Sequence, residues 1–185
     1  MSVTFTEGCI WELADSIGYK VIPTCMEKSG TWTLGENFRN DDKKWEPNSS
    51  KYKDKISYEA HTYMIGFSKW YDDLLSRHIK NPNDYKGDLD YYVGFAVNTK
   101  LKVITLPIRE GTFYGLDEDI LVRSLSLLRS YARNSKNTIY IPMLSRYYSE
   151  LSADTFKQMC TTFFYDLPNI VVVDCGDNCS KFNSI

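Results

Sequence analysis

Thr138-Ile139-Tyr140-Ile141-Pro142 and Ile170-Val171-Val172-Val173 are two runs of β-branched and aromatic residues with a helical pattern between them. Ser152 can cap that helix through its hydroxyl, and Phe156, Met159, Cys160, Phe163 and Phe164 recur at spacings that share one face. The second run follows Pro168 and is apolar without alternation, as a strand covered on both faces requires. Strand, helix and strand in succession predict an α/β layered domain rather than an all-β or all-α one.

The same alternation continues outward. Asp117-Glu118-Asp119 puts negative charge at the positive end of a helix whose buried stripe is Leu121, Leu125, Leu128 and Ala132, with Arg129 and Arg133 near its other end. Tyr91 to Val97 and Lys102 to Leu106 are β-rich runs separated by Asn98-Thr99-Lys100, a hairpin or a tight turn. From Lys55 to Lys80, Ile56, Ala60, Tyr63, Met64, Phe67, Trp70, Tyr71, Leu74, Leu75 and His78 recur at three and four and predict the longest helix, which Asn81-Pro82-Asn83 ends. Val3 to Thr6 and Tyr19 to Ile22 read as two further strands, and the polar stretch from Lys28 to Ser50 as loop or short helix. No repeat or low-complexity linker divides the chain, so a single domain over 1–185 is expected.

A chain of 185 residues, 43% of them hydrophobic, can bury a full core without a metal or disulfide. Its 22 basic and 24 acidic residues leave a formal charge of −2, which gives no electrostatic reason to expect a nucleic-acid partner. No apolar run approaches the roughly 18 to 20 residues of a membrane helix, and the N-terminus lacks a basic stretch followed by an apolar core. Cys9, Cys25, Cys160, Cys175 and Cys179 are odd in number and scattered, which fits a reducing cytoplasm better than a disulfide framework. Cys175 and Cys179 are the only short pair, and His61 and His78 lie far off, so neither metal nor cofactor is expected.

Three of the expected strands meet proline, at Pro23, Pro107 and Pro142, and each proline is expected to end its strand. Ligands bind beyond the carboxyl ends of strands in open α/β sheets, so the loops that follow are the candidate site walls. After Pro23 stand Thr24 and Cys25, then a loop with Gly30, Thr31, Leu34, Gly35, Glu36 and Asn37, whose two glycines would let backbone approach an anion. Pro107 leads to Arg109, and Pro142 leads to Ser145, Arg146, Tyr147 and Tyr148. Arginine offers a planar fork to phosphate and tyrosine a face to a base or ribose. Glu36 and Glu150 are the loop carboxylates that could act as a general base, with Asp117 further out. Cys25 has no histidine near it in sequence to activate it as a nucleophile.

These residues resemble the macro domain, the ADP-ribose-binding α/β family, in its bacterial and phage type. Phe5-Thr6-Glu7-Gly8-Cys9-Ile10 is similar to the family's first strand and Gly-Asp-Ile turn, and Val21-Ile22-Pro23-Thr24 to its second strand and Pro-Thr-Asn. Gly30 and Gly35 match the spacing of the family's glycine loop, and Leu106-Pro107-Ile108-Arg109 resembles its Phe-Pro-Thr-Lys. The stretch from Asp117, and from Tyr140 through Leu151 to Asp174, follows the family's last third. The resemblance implies a three-layer α/β/α domain with a mixed sheet of about six strands. It also implies a pocket for ADP-ribose or another nucleotide.

Several positions depart from the family. Its adenine-contacting aspartate falls on Cys9, its first-loop asparagine on Cys25, and a loop glycine on Asn37. Where the family has Gly-Cys-Gly-Asn-Gly-Gly, this chain has Ser145-Arg146-Tyr147-Tyr148-Ser149-Glu150, which would meet a ligand with side chains instead of bare amides. The resemblance therefore implies a binding module that holds a signalling nucleotide, as phage-encoded sponges do against host defence. The alternatives are an ADP-ribosyl hydrolase or ADP-ribose phosphoesterase, and a protein-interaction module with a vestigial pocket. Self-association stays open.

Overall fold

The computed structural model describes residues 3–14, 17–26, 56, 60, 64–67, 69–71, 73–74, 94–110, 115–148 and 150–174. Six strands form one sheet: β1 (Thr4–Glu7), β2 (Tyr19–Cys25), β3 (Ala96–Asn98), β4 (Val103–Arg109), β5 (Ile139–Pro142) and β6 (Ile170–Asp174). Their order is β1-β6-β5-β2-β4-β3, parallel throughout except for β3, which returns antiparallel along β4. The helices are α1 (Ile10–Leu13), α2 (Glu118–Arg133) and α3 (Ala153–Phe164), with a 3-10 helix at Leu144–Arg146.

Right-handed crossovers set the layers. The paths from β4 to β5 and from β5 to β6 step the same way across the sheet and put α2 and α3 on one face; the path from β1 to β2 steps back and puts α1 on the other. Arg129 fastens α2 to α3, donating to the Phe163 carbonyl and, through both terminal nitrogens, to Asp166. All seven residues of β4 are buried, as a strand covered on both faces must be. The mixed α/β sheet is thus the one expected.

Local chemistry accounts for most boundaries. Asp117 Oδ1 accepts from the Ile120 amide and Ser152 Oγ from the Thr155 amide, so the Ser152 cap forms as expected and Asp117 caps the helix that its charge is expected to open. The stripes are as expected, with Leu121, Leu125, Leu128 and Ala132 of α2 and Phe156, Cys160 and Phe164 of α3 fully inside. Asn98 closes the β3–β4 hairpin by accepting from the amides of Lys100 and Leu101.

Two expectations are corrected. Pro23 and Pro107 do not end their strands: β2 runs on to Cys25 and β4 to Arg109. The Tyr19 amide donates toward β5 and the Lys20 amide toward β4, so amides alternate sides and the missing one at Pro23 falls on the β5 side. Registered pairing with β5 covers only Tyr19 and Lys20, and no donor is needed there. Pro107 lies past Thr105, the last β4 residue in register with β3, and its carbonyl accepts from Ser124 Oγ of α2.

The second correction concerns the long helix. Ile56, Ala60, Phe67 and Tyr71 are helical and buried, as expected of apolar positions, but Met64, Ile65 and Gly66 leave the helix between them. Gly66 has φ of 88°, a left-handed conformation that breaks the ladder, and Ile65 is 95% exposed at the break. His61 and His78 lie outside the described residues.

Candidate ligand-binding site

Strand order reverses between β2 and β5, since the chain leaves β2 toward one edge of the sheet and leaves β5 toward the other. Beyond Lys20 and Tyr140 the two strands are no longer in register: β2 continues along β4, and β5 along β6. The carboxyl halves of the two central strands therefore part at the switch point, which is where open α/β sheets hold ligands.

On the β2 wall, Thr24 is 3% exposed and its hydroxyl lies 2.9 Å from the Tyr71 hydroxyl. Tyr71 also donates to the Gly94 carbonyl at 3.0 Å, which accepts from Thr105 Oγ1 as well. One tyrosine proton cannot serve two acceptors, so the chain runs from Thr24 to Tyr71 to Gly94. Gly94 has φ of 94°, and a Cβ there would fall 2.5 Å from the Tyr71 oxygen, so glycine is required for this close approach. Cys25 is the last residue of β2. Gly30, Thr31, Leu34, Gly35, Glu36 and Asn37 lie outside the described residues.

β4 closes the same end. The β2–β4 register passes from Thr24 opposite Pro107 to Cys25 opposite Arg109, so Ile108 is the extra residue of a bulge. Bulges re-aim side chains beside sites, and here the bulged stretch carries Arg109, a guanidinium only 2% exposed. The Ile108 carbonyl accepts from the Asp117 amide and the Arg109 carbonyl from the Met26 amide. Pro107 itself is buried.

The β5 wall differs from what its composition suggests. The amides of Arg146, Tyr147 and Tyr148 donate to Met143 and Leu144 in tight turns, so they are already used and cannot wrap a diphosphate. Tyr147 and Tyr148 are 5% and 2% exposed and belong to the hydrophobic core. The two rings pack inward and do not present a stacking face to solvent; the short 3-10 turn after Leu144 rotates both below the surface. Ser145 and Arg146 are the side chains left facing outward.

Arg146 is held by Asp174 at the end of β6, with Nε to Oδ1 at 3.0 Å and Nη2 to Oδ2 at 2.9 Å. Beside this pair is a cavity of about 360 Å³. Glu150 is exposed, and a Cβ on Gly115 would lie 2.6 Å from its Oε1. The loops after β5 and β4 thus meet at Glu150 and Gly115. Glu150 stands at the rim and Asp117 is spent on its cap.

Among the described residues no group of three His, Cys, Asp or Glu side chains could hold a metal ion. Nor is any described helix long and apolar enough to cross a membrane. Cys9 and Cys160 are buried thiols, and burial pushes the Cys160 pKa up, away from nucleophilic use. Sequence reasoning missed Tyr71 and Lys157 as parts of this end of the sheet. Tyr71 reads as one more apolar position of a stripe, and nothing in the spacing around Lys157 singles it out.

No protein-family model matches the chain, and no curated protein does. Solved structures do. The macrodomain of Thermus aquaticus DarG aligns over 94% of this chain and 97% of its own, with 11% identity and a TM-score of 0.52. The macrodomain of Mycobacterium tuberculosis DarG aligns over 93% and 98%, at 12% identity and a TM-score of 0.50. A Bacteroides thetaiotaomicron protein of unknown function aligns over 94% and 98%, at 12% identity and a TM-score of 0.52. The fold is that of the macrodomains.

Proposed function

We propose that the chain is a binding module for ADP-ribose or a related signalling nucleotide, held between the carboxyl ends of β2 and β5 and left intact. The observation that carries this reading is the parting of those strands after Lys20 and Tyr140 at the switch point of a macrodomain sheet. Arg109 at the end of β4 and Arg146 after β5 supply the cationic chemistry that a diphosphate asks for at this end of the sheet. Hydrolysis would need a base or a positioned water, and the described carboxylate nearest that role, Glu150, is exposed at the rim. Sequestration of a nucleotide signal in the cytoplasm, in the manner of a phage sponge, fits a pocket that binds without turnover.

Burial of Tyr147 and Tyr148, with their amides consumed in turns, favours a second reading in which the pocket is vestigial and the domain serves protein interaction. A thermal-shift panel of ADP-ribose, cyclic ADP-ribose isomers and cyclic dinucleotides separates the two. A ligand at a hundred times its Kd stabilises by about 2.7 kcal/mol, a rise of roughly 5 to 10 °C for a domain this size. A panel that leaves the midpoint unmoved rejects the binding module. Chromatography after long incubation then decides turnover: recovered intact ligand is expected, and a cleaved product means an enzyme.

A further inference from the structure

The cavity beside the crevice lies between the 3-10 helix, the first turns of α3 and the end of β6, and is lined by Met143, Ser145, Arg146, Ala153, Lys157 and Asp174. Two of its groups are cationic and one is anionic. Arg146 meets Asp174 fork to carboxylate through Nε and Nη2, the geometry in which a guanidinium also grips a phosphate. The side chains of the pair are 44% and 26% exposed, so solvent screens the bridge. Lys157 has no ion-pair partner among the described residues and stands on the cavity wall.

Resting on the nucleotide-binding reading, we propose that this cavity takes a phosphate group of the ligand and that Asp174 is an internal competitor for it. The incoming phosphate displaces the Asp174 carboxylate from Arg146, while Lys157 and the Ser145 hydroxyl complete its shell. The exchange selects for charge. A carboxylate replacing Asp174 gains nothing at Arg146, whereas a phosphate dianion or a pyrophosphate also satisfies Lys157, which Asp174 leaves unused. A weakly charged anion is thereby excluded and a phosphorylated one admitted.

Isothermal titration of inorganic pyrophosphate, acetate and ADP-ribose into the full chain and two variants tests this. The wild type should bind pyrophosphate and not acetate. Asp174→Asn, which removes the competing charge, should bind pyrophosphate about tenfold more tightly, and Lys157→Ala about tenfold more weakly. An unchanged or weaker affinity in Asp174→Asn overturns the proposal, because Asp174 would then only position Arg146. If that variant fails to fold, Lys157→Ala on its exposed helix face still decides, and so does acetate binding as tightly as pyrophosphate, which overturns selection by charge. ADP-ribose bound equally by wild type and Lys157→Ala overturns the phosphate site and leaves the nucleotide reading standing. Pyrophosphate bound with the expected variant effects and ADP-ribose ignored does the reverse.

Discussion

The Tyr71 hydroxyl lies 2.9 Å from the Thr24 hydroxyl, joining a helix residue to the penultimate residue of β2 across 47 positions of sequence. Both residues are buried, so the contact fixes the end of the strand that forms one wall of the crevice.

Tyr71→Phe keeps the ring, which stacks on Phe67, and removes only the hydroxyl. Gly94 retains Thr105 as a donor, so the loss falls mainly on Thr24. Urea unfolding should show a cost of about 1 to 3 kcal/mol, that of leaving the buried Thr24 hydroxyl without its partner. No change in stability would mean that the hydroxyl does not order the β2 terminus.

Tyr148 separates a core tyrosine from a ligand-stacking one. Tyr148→Ala should destabilise by about 3 to 5 kcal/mol, as aromatic truncation in a core does. A surface tyrosine would cost within about 0.5 kcal/mol, and that result would return Tyr148 to the ligand face. Arg146→Ala, whose bridge to Asp174 is half exposed, should stay within about 1 kcal/mol.

The tie between α2 and α3 predicts a pH dependence. Hydrogen bonds from Arg129 hold the Asp166 carboxyl below its ordinary value, with the Arg129 and Arg133 charges adding to the shift. A depressed carboxyl stabilises the fold above its unfolded pKa, about 4, and that contribution is lost as pH falls through the folded value. Melting curves of wild type and Asp166→Asn should therefore differ at pH 6 and converge once the pH has fallen below the ordinary carboxylate range and through the folded-state value. A difference that persists undiminished in acid would assign the effect to packing of the Asp166 side chain.

Much of the architecture is legible in the amino-acid sequence. Residue type and spacing alone locate the Ser152 cap, the acidic start of α2 at Asp117, the stripes of α2 and α3, and a reversal near Asn98, because each depends on neighbours within a few positions. The errors come where a residue's effect depends on what stands beside it. A proline ends a strand only where a neighbour demands its amide, and Pro23 and Pro107 face sides on which pairing has stopped. Gly66 is tolerated within a helical period until its φ turns positive and breaks the helix.

The candidate site is legible as the carboxyl end of the sheet and less so in the side chains that line it. Carboxyl ends of strands mark it, yet Tyr147 and Tyr148 turn inward because the 3-10 turn after Leu144 sets their direction. Asp174 reads only as the end of a strand, and its hold on Arg146 spans 28 positions that periodicity cannot link.

Amide chemical-shift mapping during an ADP-ribose titration tests most directly whether a nucleotide sits where β2 and β5 part, as proposed. The amides of Thr24, Cys25, Met143, Ser145 and Arg146 should shift with one common Kd, while Gly18, Thr138 and the Asn98 hairpin at the opposite end of the strands stay still. Unmoved amides at saturating ADP-ribose, or shifts gathered at the hairpin and the amino ends of the strands, would contradict it.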